Sequence, residues 1–132
     1  MKLKVGLLLA VLSVGGLLGQ DEAQFPGWMK TIGGNMGATK KAIEAKSVDA
    51  ATSAAKVADA FDKVHGFYKT KAVSDAEQAA ATAKGAAADV ARFAQAGEFD
   101  KASTAFAALG GTCKGCHEAH REKAADGSYK LK

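Results

Sequence analysis

Apolar residues recur along this chain at intervals of three and four, the period of an amphipathic helix, and no run alternates β-branched with polar residues as a half-buried strand would. After "FPGWMK", Met29, Ile32, Met36 and Ile43 share one face with Trp28 beside it. This predicts a first helix beginning at Pro26, where a missing N–H costs nothing, and puts Met29 in its first turn. Val57, Phe61, Val64 and Tyr68 mark a second helix over 49–69. The third starts at Ser74: "SDAE" has the form of a capping box, with Ser74 as N-cap and Glu77 reaching back. It continues through Ala79, Ala83, Ala87 and Val90 to a stop at Gly97. A fourth covers 99–125, with Phe99, Ala102, Phe106, Leu109, Cys113, Cys116/His117 and His120 in phase. The links near 46–48, 70–74 and 97–98 are short, which forces neighbours antiparallel. The expected fold is therefore all-α, an antiparallel up-down-up-down four-helix bundle, with a solvated tail after Asp126-Gly127. Gly33, Gly34 and Gly37 interrupt the first helix at roughly 1 kcal/mol each relative to alanine, which asks for a reason, and close approach of something bulky to the backbone is one.

The start of the chain has a different pattern. Lys2 and Lys4 precede an uncharged apolar run from Val5 to Leu18, 14 residues long. That is shorter than the roughly 20 residues a membrane-crossing helix needs. Residues 1–19 thus read as a secretory signal, with cleavage after Gly19 or as late as Ala23, followed by a single domain over 20–132. Export implies the periplasm, with no stable membrane insertion once the leader is removed. The leader also carries two lysines and no acids, so the formal charge falls from +4 to +2 without it. That balance is too mild to argue for nucleic acid or an anionic membrane surface. Apolar residues make up 48% of the chain, but many are alanine, so the core is thin and a bound apolar group would add bulk to it.

Chemistry concentrates in "GGTCKGCHEAHREK" at 110–123. Cys113, Cys116 and His117 stand at i, i+3 and i+4, on one helical face. Cys-x-x-Cys-His is the attachment pattern of a c-type haem. Two thiols reach the two vinyl groups of one ring, and the next histidine stands over the iron. A Cys113–Cys116 disulfide would close only a tiny loop and constrain little. A structural zinc site needs about four ligands around one ion, and these residues, even with His120, come from two turns of one helix. A thiol–disulfide oxidoreductase normally carries its cysteine pair in a strand-rich setting. No acid–base pair, phosphate loop or nucleophile constellation stands out, so no enzyme is expected. His120, one turn past His117, and His65, on the second helix, read as packing or surface residues.

With that motif on the last helix and "WMKTIGGNMGA" at 28–38 on the first, the chain resembles the class II c-type cytochromes, cytochrome c′ and its low-spin relatives. The resemblance extends over the mature chain in helix order and motif placement. It implies one covalent haem c per chain, anchored by Cys113 and Cys116, with His117 as proximal iron ligand and Met29 as sixth ligand. It implies electron transfer with redox protein partners. The alternative it carries is a five-coordinate haem that binds NO or CO. Arg121, four after His117, falls where family members often have a basic residue. Pairing of two copies through the first two helices also belongs to the family's repertoire.

Overall fold

The computed structural model describes residues 15–132, with side chains described from Glu22 onward. Of residues 1–19, expected to be a secretory signal, 1–14 lie outside the described residues, and 15–19 are described only as helical backbone. Four helices follow one another: α1 (Gly15–Glu44), α2 (Asp49–Thr70), α3 (Ser74–Gln95) and α4 (Phe99–His120). A two-stranded antiparallel ribbon comes next, β1 (Arg121–Lys123) paired with β2 (Tyr129–Leu131). Consecutive helices pack against each other and form the expected all-α, antiparallel four-helix bundle.

α2 and α3 make the closest pair. The buried face of α3 is Ala76, Ala80, Ala83, Ala87, Val90 and Ala94, and side chains this small let two backbones approach. α1 and α4, which should close the bundle, hardly touch. The larger core cluster lies where α1 begins and α2 ends. There Phe25, Trp28, Phe67 and Tyr68 meet with ring centroids 4.9 to 6.3 Å apart. At the other end Thr39 is buried and its hydroxyl is hydrogen-bonded to Ser53 Oγ at 2.7 Å, joining α1 to α2.

Three helix ends close in the same way. After α3, Gly97 N–H donates to Ala94 O and Glu98 N–H to Phe93 O, with Gly97 at φ +74°. This pair of bonds defines a Schellman turn, which satisfies carbonyls the helix leaves free. α1 and α2 end with the same two bonds, but Lys46 (φ +51°) and Ala72 (φ +57°) take the left-handed place.

Three local expectations need correction. Pro26 does not begin α1; it lies inside the helix. Proline removes one helical hydrogen bond. Contacts of the residues just before it fasten that turn to α2: Phe25 is buried against Phe67 and Tyr68, and Glu22 pairs with Lys71 at 3.3 Å. Met29 is therefore well inside α1. Ser74 is the first residue of α3, not its cap; Val73 takes that place and has no side-chain cap bond. Val73 N–H is already committed to Tyr68 O in the turn that closes α2, so helix α3 starts directly behind it. Finally, α4 stops at His120 and the supposed tail is the ribbon. Gly127 turns at φ +87°, and Asp126 Oδ1 accepts from Ser128 N–H and Oγ–H at 2.9 and 2.6 Å. Leu131 then packs against the larger core cluster, and Lys132 N–H donates to His120 O.

Candidate functional site

α4 changes character halfway along. Ala102 and Leu109 are fully buried, whereas Cys113, Cys116, His117 and His120 are only half-buried. These four face a cavity of about 840 Å³ that occupies the seam between α4 and α1. The α1 wall carries Met29, Ile32, Gly33 and Met36, and α2 contributes Phe61, Val64 and Tyr68. Arg121, Tyr129, Lys130 and Leu131 form the wall made by the ribbon. All four residues singled out as site residues, Cys113, Cys116, His117 and Met29, thus border one space, with Met36 about two turns beyond Met29. His65 does not border it. Its Nε2 lies 3.6 Å from Glu77 Oε1, on the side of α2 that faces α3.

The glycines of α1 face open space. A Cβ added at Gly33, Gly34 or Gly37 would meet no described atom within 4 Å. No part of the described chain is pressed against them. Gly33 borders the cavity, so its missing side chain keeps that wall flat.

Burial sets the local protonation states. It raises the thiols of Cys113 and Cys116, and at Cys116 the negative charges of Cys113 and Asp75 add to it. Thiol chemistry needs the thiolate, so this environment is the opposite of what an exchange catalyst requires. Burial also lowers His117, and the positive charge of Arg121 lowers it further. Both effects favour the neutral imidazole of His117, the form with the lone pair a metal ligand needs. Among the described residues no three His, Cys, Asp or Glu side chains gather as a metal-ion cluster. Cys113, Cys116 and His117 line a wall rather than surround a point.

One arrangement could not be foreseen from the chain. His120 Nε2 lies 2.7 Å from Asp75 Oδ2, and the His120 ring packs on Tyr68 at 5.7 Å between centroids. A carboxylate only accepts, so the pair fixes the proton on Nε2. The bond from His120 is the largest cause holding the Asp75 carboxyl below its usual range. His120 is in phase with the cysteines, and that was legible. Its partner comes from the start of α3, 45 residues earlier, and reaches it because the antiparallel register brings that end beside the end of α4. Tyr68, packed on His120, is pushed up to about 12, first by burial and then by the charges of Cys116 and Asp75.

The cavity fits a covalently held haem in the chemistry of its donors and in size. It falls in the range of roughly 300–1,000 Å³ common for cofactor and ligand sites. Two thiols and an imidazole stand on one wall, methionine thioethers on the opposite one, and the lining between is largely aliphatic and aromatic. Compared with protein-family models, curated proteins and solved structures, the chain matches none of them.

Proposed function

We propose that this chain is a single-haem c-type cytochrome of the class II kind, exported to the periplasm, that carries electrons between redox proteins. The supporting observation is the cavity between α1 and α4, where Cys113, Cys116 and His117 face Met29 across an apolar lining. Cys113 and Cys116 would hold the group through thioether bonds, each Sγ–H adding across one vinyl group. His117 Nε2 and Met29 Sδ would be the iron ligands. When bound, the haem supplies a reversible one-electron couple. The chain's own residues supply the setting. Tyr68, Val64 and Phe61 limit water at the buried side, Arg121 adds positive charge at the mouth, and a thioether ligand favours the reduced state. Among the described residues no helix is long and apolar enough to cross a membrane.

A second reading rests on Gly33. With no atom of another described segment within 4 Å of an added Cβ, the α1 wall has room for a small neutral gas such as NO or CO beside Met29. Intact mass and absorption spectra of the exported protein test both. The expected result is one covalent haem per chain, absent when Cys113 and Cys116 are both replaced by serine, and a low-spin ferric spectrum. Met29→Ala should convert it to high spin and admit CO to the ferrous form, while Met36→Ala should leave the spin state unchanged. A chain without covalent haem rejects the proposal. A high-spin wild type indifferent to Met29→Ala rejects methionine ligation and favours the gas-binding reading.

A further inference from the structure

Charge is distributed unevenly along the chain. Residues 20–110 carry eleven basic and eleven acidic side chains, and residues 111–132 carry five basic and three acidic ones. All of the formal charge of +2 left after the leader therefore belongs to the end of α4 and the ribbon, the segment that borders the cavity. Lys114, Lys123, Lys130 and Lys132 are exposed there, and only Lys130 has an ion-pair partner among the described residues, Glu122 at 3.4 Å. At the centre stands Tyr129, 57% exposed and one of two large exposed apolar side chains among the described residues. The Arg121 guanidinium lies over its ring at 3.9 Å. Beside them, an outer groove of about 450 Å³ is bordered by Lys114, His117, Glu118, Arg121 and Tyr129, so His117 is reached from the surface as well as from the cavity.

We infer that this face is the docking surface for a protein partner that presents an acidic patch. Tyrosine and arginine, here the exposed Tyr129 and the half-buried Arg121, are residue types that anchor protein interfaces, and lysines suit the polar rim around them. Local positive charge steers an acidic partner and orients it before contact. Here it would bring the partner against the groove beside His117. Over residues 20–110 bases and acids balance in sum, and Lys40, Lys41 and Lys46 lie at the end of α1 and the turn after it, away from the cavity. The inference rests on the haem reading for its purpose, but the surface itself can be tested without it.

Two measurements separate the possibilities. Amide chemical-shift mapping with poly-L-glutamate should move residues 114–132 first; shifts centred instead on Lys30, Lys40 or Lys63 overturn the inference, whether or not haem is present. In the haem-loaded protein, oxidation by anionic hexacyanoferrate(III) is compared with oxidation by a cationic cobalt–phenanthroline complex. Lys123→Glu/Lys132→Glu should slow the first about twofold or more at 0.1 M salt, where the screening length is about 10 Å, and speed the second. Lys40→Glu/Lys41→Glu makes the same formal charge change at the opposite end of the bundle, about 30 Å away along a 22-residue helix, and should alter neither rate. Equal effects of the two pairs overturn the inference. So does binding to phosphatidylglycerol vesicles that Lys123→Glu/Lys132→Glu abolishes, because the face would then belong to a membrane. Absence of covalent haem by mass rejects the cytochrome reading alone.

Discussion

Tyr68 shows how single groups report on this site. Its ring is packed between Phe25 and His120, and its hydroxyl is pushed up to about 12 because a phenolate there would be partly desolvated and would face Asp75. The folded value is raised above the unfolded value of 10.0, so the neutral form is favoured by folding. Its stabilising contribution is complete below pH 10 and is lost as pH rises through about 12. A denaturant midpoint followed from pH 9 upward should therefore fall across that window, and Tyr68→Phe should remove most of the fall. Carbon-13 shifts of labelled tyrosine rings, assigned with Tyr129→Phe, should show Tyr68 half-ionised near pH 12. Titration of Tyr68 near 10 would mean that water reaches its hydroxyl freely and that the cavity wall is looser than the structure has it.

Helix ends carry the next prediction. Ala72 occupies the left-handed position of the α2 turn at φ +57°, which costs an L-residue roughly 1–2 kcal/mol, while glycine gives back about 0.5–1 kcal/mol through the entropy of the unfolded chain. Ala72→Gly should raise stability by about 0.5–1 kcal/mol in urea unfolding, Lys46→Gly by a similar amount, and Gly97→Ala should lower it. A destabilised Ala72→Gly would show that the turn is held in another conformation. The helices themselves were legible because an apolar stripe with period 3.6 survives whatever packs on it, and the Gly97 stop was legible because glycine tolerates its positive φ. Other features depended on contacts the chain order conceals. Pro26 looked like a start until Phe25 and Glu22 were seen fastened to α2. Ser74 looked like a cap because nothing local reveals that Val73 already closes the preceding turn. Asp126-Gly127 was a readable hairpin signal, but the strands beside it are three residues long and mostly polar, below the length at which alternation stands out. The convergence of Cys113, Cys116, His117 and Met29 on one cavity could be expected only through the resemblance, since spacing alone says which residues share a face and not what faces them.

At the scale of the whole molecule the bundle is strong on one side and weak on the other. α2 and α3 are joined by a continuous buried seam, while α1 and α4 are separated by the cavity and each relies on one helix neighbour. Van der Waals contacts fall off within an ångström, so walls that face a cavity contribute less cohesion than walls in contact. A group that fills the seam and is bonded to α4 would supply the missing contacts and bind only the folded state, which stabilises it by mass action or, when covalent, by permanent contact. Local opening should follow this division. In a Cys113→Ala/Cys116→Ala protein that holds no haem, amides of α2 and α3 should retain most of their protection from hydrogen exchange. Those of α1 from Met29 to Met36 and of α4 beyond Leu109 should exchange at least about tenfold faster than in the loaded protein, a difference of about 1.4 kcal/mol in opening free energy. The ribbon should follow α4, since Leu131 is its anchor to the core and Lys132 is hydrogen-bonded to His120. Uniform loss of protection over all four helices would mean that the bundle opens as one unit. Unchanged protection of α1 would mean that its contacts with α2, including the Phe25–Phe67 and Thr39–Ser53 pairs, hold it without help from the cavity side.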